Sequence, residues 1–292
     1  MIAKANGKHN HMPVRIVKRP EYDAEGLALR DIFKGVLRSG NGGLYVHLTS
    51  PERPDGFATM MHNAAYDRLG LASRSIQLEA GSIKDALCWL QRHKVVSGAS
   101  IDEPHKIEAV RLLKPDEISD SAKAIGAVDT IIRHNGVLHG YNYSYVSALR
   151  AIRKKFVISR NTKAIVIGAS ATGKAIAYGL RKRGVEVIGV SARVPPKLRG
   201  SEFDIVVCAL TPKQWGLAAK ISGQVTCRGI VVDASGFHRL NVFLDRAREL
   251  GLQTVTNKEL LLHQSMIQVE KFSGTVAPIN SMRIKLADEI RN

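Results

Sequence analysis

The chain has 292 residues, of which 45% are hydrophobic and 24% charged, a composition that excludes a disordered tail, a collagen-like fibre and a disulfide mini-protein. Its length leaves room for about two domains. A net charge of +17, from 43 Lys and Arg against 26 Asp and Glu, raises nucleic acid or another polyanion as a partner. The charge is uneven: residues 1–143 carry 19 basic and 16 acidic residues, whereas 144–292 carry 24 and 10. Residues 150–199 alone hold 13 basic residues and one acid, Glu186.

In chain order, the N-terminal stretch Met1 to Met12 is polar and lacks the apolar centre of a signal peptide, so the cytoplasm is the expected location. Residues 24–38 place Leu27, Leu29, Ile32, Phe33, Val36 and Leu37 at helical spacing, and Gly40, Gly42 and Gly43 end that helix. Leu44–Leu48 reads as a buried strand, followed by a loop with Pro51, Pro54 and Gly56, a helix over 57–69 and a short strand over 75–78. A helix over 81–90 precedes a strand over 94–97. This alternation predicts an α/β unit with a largely parallel sheet. In the second half, 164–168 is an apolar strand, 175–183 a helix stopped by Gly184, and 185–191, 203–209 and 229–234 are strands. A helix over 240–250 ends at Gly251. Cys88, Cys208 and Cys227 lie far apart with no C-x-x-C pair, which excludes a zinc framework. No apolar run approaches the length of a membrane span.

Gly168-Ala169-Ser170-Ala171-Thr172-Gly173 joins a strand to a helix and is a variant of the dinucleotide-binding G-x-G-x-x-G, with Ser170 at the second glycine. The first glycine allows the tight turn, the third allows close packing, and the N–H groups at the helix start face a pyrophosphate. The next strand ends at Arg193, with Lys197 behind it, where an NAD site carries an acid for the ribose hydroxyl. Guanidinium and ammonium groups there suit a 2′-phosphate, so the expected cofactor is NADP, held by Gly168, Ser170, Ala171, Thr172, Gly173, Arg193 and Lys197.

Six further segments occur in an order that resembles the shikimate dehydrogenase family. Ser50-Pro51 with His62-Asn63…Tyr66 is similar to S-P-x-x-H-N-x-x-F, and Gly98…Asp102-Glu103-Pro104-His105-Lys106 to G-x-x-V-T-x-P-x-K. Ile125–Thr130 resembles I-G-A-V-N-T, and Gly136…Gly140-Tyr141-Asn142 resembles D-G-x-L-x-G-x-N. Asp204–Ala209 resembles D-x-V-I-N-A, and Leu260-Leu261…Gln264 with Phe272-Ser273-Gly274 resembles M-L-x-x-Q…W-T-G.

The resemblance implies a two-domain α/β protein. A substrate domain over 1–143 is completed by 264–292, and a Rossmann-type dinucleotide domain spans 144–263. It also implies hydride transfer between NADP and a cyclic hydroxy acid within the shikimate pathway. The family's catalytic lysine falls on Lys106 and its substrate-binding glutamine on Gln264. A desolvated lysine takes up the hydroxyl proton or, as ammonium, stabilises a developing alkoxide.

The departures cluster in the pocket. The family's G-x-N-T-D aspartate is Ser144 here, after Asn142 and Tyr143, and Ser144 cannot carry the charge that pairs the lysine. Asp102 stands at the family's threonine and Asp129 at its asparagine. Leu48 replaces the first serine of S-x-S, leaving Thr49 and Ser50 for a substrate carboxylate. The expected catalytic set is thus Lys106, Ser144 and Asp102, and the expected substrate contacts are Thr49, Ser50, Asp129, Asn142 and Gln264. Two outcomes stay open: a new aspartate partners Lys106 and turnover survives on a less acidic ring or polyol, or the protein binds dinucleotide and small ligand without turnover. The partner is a small molecule, no metal spacing occurs, and nucleic-acid-binding motifs are absent despite the charge. The chain is expected as a monomer or homodimer.

Overall fold

The structure, a computed structural model, describes residues 14–17, 34–36, 40, 42–50, 56–190, 196–210, 214, 223–236 and 242–291. Of the helix expected over 24–38, only 34–36 lie in this set, and they are helical. The Pro51–Pro54 loop and Arg193 lie outside it.

Two sheets organise the chain. The first has six strands in the order β1-β3-β2-β4-β5-β6. β2 (Leu44–Thr49) is central and wholly buried, paired in parallel with β3 (Arg74–Glu79) and β4 (Val96–Ile101). Its alternate residues serve two layers. Leu44, Val46 and Leu48 pack against α2 (Ile83–Arg92) and α3 (His105–Leu112). Tyr45 turns to the opposite layer of α1 (Phe57–Arg68), α8 (Asn257–Ser273) and α9 (Ile279–Arg291). The end of the chain therefore packs onto the sheet formed by its beginning.

This sheet is mixed rather than largely parallel. β1 (Arg15–Val17) runs antiparallel to β3, and β4, β5 (Thr130–His134) and β6 (Val137–Tyr141) are antiparallel neighbours. For β5 and β6 the local reason is the Asn135-Gly136 corner, where both residues take positive φ (49° and 83°). Such a two-residue turn matches strand twist and forces the chain straight back into a hairpin.

The second sheet is parallel throughout, in the order β11-β10-β9-β7-β8. These strands are β7 (Lys163–Ile167), β8 (Glu186–Val190), β9 (Glu202–Cys208), β10 (Thr226–Asp233) and β11 (Gln253–Val255). Apolar clusters cover both faces, one including α5 (Ser144–Arg153) and α6 (Ala171–Arg181), the other α7 (Val242–Glu249). α6 starts four residues before the expected Ala175, because Ser170 caps it by accepting from the Gly173 N–H at 3.1 Å. Strand order reverses at β7, between β8 and β9, which places the β7–α6 turn at the switch point where open α/β sheets bind ligands. Ile125 and Ala127, at the end of α4 (Asp120–Ile125), pack on Ala171 and Ala175 of α6. The two layers thus meet at the start of the dinucleotide-type helix. Among the described residues no helix is long and apolar enough to cross a membrane, and no three metal-type side chains gather.

Candidate active site

The phosphate-type turn is fixed by close packing. Gly168 has φ +111°, and a Cβ there would lie 2.2 Å from the Ala209 carbonyl oxygen at the end of β9. A Cβ on Gly173 would lie 2.3 Å from the Ala209 Cβ. Both glycines are therefore demanded by the neighbouring strand. Ser170 turns its hydroxyl back onto the helix as a cap. The Thr172 N–H donates to Glu103 Oε1 at 3.2 Å, a contact from the opposite side of the cleft. The turn fits a pyrophosphate in shape and donors, with Ala171 and Thr172 leading the helix, while the Glu103 carboxylate stands where an anion belongs. Lys197 is exposed in the short turn Pro196–Leu198 after β8.

Across the cleft, the strand register lines up the expected substrate residues. Leu48 faces Ile101 and Thr130 faces Tyr141 across their pairs, and the Asp102 N–H donates to the Leu48 carbonyl. Thr49, Asp102, Asp129 and Asn142 therefore follow one another along the end of β2, β4, β5 and β6.

Within that row, Asp129 is fully buried and heavily bonded. Its carboxylate accepts from the Tyr143 N–H (2.9 Å to Oδ2), the Ser144 N–H (2.7 Å), the Ser144 hydroxyl (2.6 Å) and the Thr130 hydroxyl (2.7 Å). Helix α5 has no acid in its first turn, so Asp129 supplies the missing N-terminal anion from another element. Asn142 donates to the Ala127 carbonyl at 3.0 Å and accepts from the Ser144 N–H at 3.1 Å. Asp129, Asn142 and Ser144 are brought together, chiefly to hold the start of α5.

Lys106 sits at the head of α3, 4% exposed, with its carbonyl bonded by the Val128 N–H at 2.9 Å. Among the described residues its ammonium has no carboxylate within 4.0 Å. Asp102 is half-buried, and among the described residues its carboxylate has no hydrogen bond. Both lie near His47, whose imidazole is held below its ordinary value by burial; Asp102 opposes that shift and Lys106 adds to it. His47 Nδ1 pairs with the Ser100 hydroxyl at 2.8 Å. His62 is buried, and among the described residues neither ring nitrogen has a hydrogen-bond partner; burial pushes it down to about 3, with His47 adding to the shift and Gln268 opposing it.

The remaining residues divide. Thr49 accepts from Gln77 Nε2 at 3.2 Å, and among the described residues the buried Ser50 hydroxyl has no partner. Leu48 points into the core, away from this row. Gln264 is half-buried on α8. One turn on, along the same face, Gln268 is 2% exposed and donates to the Thr130 hydroxyl (3.1 Å) and the Asp129 carbonyl (3.3 Å). Gln268, Glu103 and His47 are absent from the sequence expectations. Gln268 is signalled by its i+4 spacing from Gln264, and Glu103 by an acid inside the E-P-x-K segment.

Residues 56–131 match the model of the shikimate dehydrogenase substrate binding domain. A shikimate dehydrogenase (NADP(+)) of Nitrosopumilus maritimus is 28% identical over 253 residues, covering 76% of this chain and 90% of that protein. A shikimate dehydrogenase-like protein of Haemophilus influenzae is 33% identical over 141 residues, 48% of this chain and 51% of that protein. Shikimate 5-dehydrogenase of Thermus thermophilus, solved with shikimate, superposes with a TM-score of 0.73 at 23% identity, covering 86% of this chain and all of that one. With a matching substrate-domain model, relatives aligned over nine-tenths of their length and a shared architecture, the chain is similar to shikimate dehydrogenases in its substrate domain and in its fold.

Proposed function

We propose that the protein is an NADP-dependent oxidoreductase that moves a hydride between the cofactor and a cyclic hydroxy acid or related alcohol. Buried Lys106, at the end of a polar row and across a cleft from a dinucleotide-type turn, is the observation that carries this reading. The names of the relatives, shikimate dehydrogenase (NADP(+)), supply the cofactor and substrate class. NADP, when bound, accepts or delivers the hydride. Gly168, Ser170, Ala171, Thr172 and Gly173 would hold its pyrophosphate, and Lys197 would meet a 2′-phosphate.

Lys106 holds the proton exchanged with the substrate oxygen, or stabilises that oxygen as an alkoxide. The carboxylate available to it is Asp102, because Asp129 is committed to α5. The Ser144 hydroxyl is oriented by Asp129 and makes its substrate contact only as an acceptor. Ser50 and Thr49 remain for a substrate carboxylate, with Gln264 and Asn142 at its hydroxyls. Because Leu48 serves the core and Asp102 adds negative charge, the preferred substrate is less acidic than shikimate, or a polyol relative.

Among the described residues Lys106 forms no ion pair, which favours one competitor, a binding protein without turnover. Titration of NADPH by its fluorescence, followed by NADP reduction with shikimate, quinate and related alcohols, separates the two. Saturable binding with turnover is expected. Binding without turnover on any of these alcohols overturns the enzymatic reading.

A further inference from the structure

The densest basic stretch of the sequence, 150–199, is not spread evenly over the surface. The C-terminal ends of α5 and α6, some thirty residues apart in the chain, converge on one cavity of about 750 Å³. Arg150, Arg153 and Lys154 from the first helix and Lys182 and Arg183 from the second line it. Two helix C-termini present roughly one negative charge in total. Five cations exceed what is needed to offset them. Glu270 neutralises Arg150 at 3.4 Å, whereas Arg153, Lys154 and Arg183 form no ion pair among the described residues.

The floor is apolar. Tyr145, Leu149 and Met266 form it, and Gly179 keeps α6 close to α5, where a Cβ would press on Leu149 at 3.2 Å. The wall includes His263, 5% exposed, whose Nδ1 has no partner among the described residues. Burial first, then Lys154, pushes that imidazole down to about 4, so it is neutral and offers a hydrogen bond rather than a further charge. The volume is that of an ordinary small-ligand site.

From this geometry we infer a second anion site, distinct from the dinucleotide turn, built for a compact polyphosphate joined to a flat apolar ring, the chemistry of a nucleoside di- or triphosphate. The cations crowd one cavity instead of forming the stripe that a nucleic-acid backbone follows. The apolar floor seats a ring. The dinucleotide turn lies at the opposite end of α6, about 16 Å away at 1.5 Å per residue.

Isothermal titration of the full chain with ATP and with inorganic tripolyphosphate at 150 mM salt tests the site, alongside the triple variant Arg153→Ala, Lys154→Ala, Arg183→Ala. Saturable one-to-one ATP binding is expected, weakened about tenfold or more in the variant. NADPH should still bind saturably, weakened far less than ATP. ATP should bind several-fold more tightly than tripolyphosphate. Lys154→Glu alone serves if circular dichroism shows the triple variant unfolded. Four results each overturn the inference: no saturable ATP binding, ATP binding untouched by the substitutions, equal affinity for ATP and tripolyphosphate, or steeply salt-dependent capture of a duplex oligonucleotide in place of ATP.

Discussion

Lys106 and Asp129 are both buried charged side chains a few residues from the same cleft, yet they have opposite surroundings. Asp129 is encircled by donors, whereas among the described residues Lys106 has no carboxylate within 4.0 Å. Asp129→Asn turns an amide N–H toward donors that need an acceptor. It should cost about 1–3 kcal/mol in urea-unfolding free energy and lower turnover through the released Ser144 hydroxyl. Lys106→Ala should reduce kcat about 100-fold or more while NADPH fluorescence still titrates normally. Unchanged turnover in that variant would remove the lysine from the mechanism.

Acid stability reads the buried imidazoles. His62 stays neutral in the folded state down to about 3, whereas the unfolded chain protonates it near 6.5. Between those values the unfolded state binds the extra proton, so this group's stabilisation is complete above 6.5 and is lost as pH falls. Its slope is about 1.4 kcal/mol per pH unit. His62→Phe should flatten the urea-stability profile between pH 5.5 and 4 by that amount; an unaltered slope would show that other groups carry it. At this scale, the motif positions of Lys106, Ser144, Asp129 and Asn142 are legible in the sequence, but their bonding is not. Nothing in the string at 129 announces that its carboxylate closes a helix fifteen residues on, because that contact exists only once the hairpin has brought the two together.

Among the elements, strands with two buried faces are readable from apolar runs alone, as at Leu44–Thr49 and Lys163–Ile167. The direction of pairing is not. Asn135-Gly136 is a strong local hairpin signal, and its flanking strands, with charged and histidine side chains, lack the apolar alternation that would draw attention to it. The start of α6 is misplaced in the sequence because Ser170 reads as bulk toward phosphate, while its hydroxyl turns inward to cap the helix. Glu103 acts at this level too, since its carboxylate occupies a donor at the N-terminus of α6. Glu103→Gln keeps the size and removes the charge. It should tighten NADPH binding several-fold in a fluorescence titration; equal or weaker binding would show that the contact does not oppose the cofactor.

Over the whole molecule, the excess positive charge is concentrated in the half that carries the second sheet, and the fold gathers much of it at the far end of α6. A dinucleotide approaching this half meets an attractive field before it meets any one side chain. Raising ionic strength from 50 to 500 mM should therefore slow NADPH association severalfold in stopped-flow measurements, with a smaller change in dissociation. An association rate insensitive to salt would assign the charge elsewhere. The uneven charge is visible in the sequence, and its convergence is not, because helix ends distant in the chain become neighbours only through packing. The return of the last two helices onto the first sheet can be read only through family motifs, since α8 shows no alternation that names its partner.

The hydrogen bond from Thr172 to Glu103 ties the two sides of the cleft through a residue three positions before Lys106. A carboxylate tethered to its own binding site competes as a ligand of fixed effective concentration, one that dilution does not weaken. A soluble phosphate group wins that competition only by displacing the tether, and in doing so it releases the segment that leads into the lysine. Occupancy at the turn and freedom at the head of α3 are then linked variables, and linkage is reciprocal: whatever fixes Lys106 in place also changes the affinity of the turn. For an enzyme of two substrates, this favours an order of arrival, with the dinucleotide first and the alcohol second.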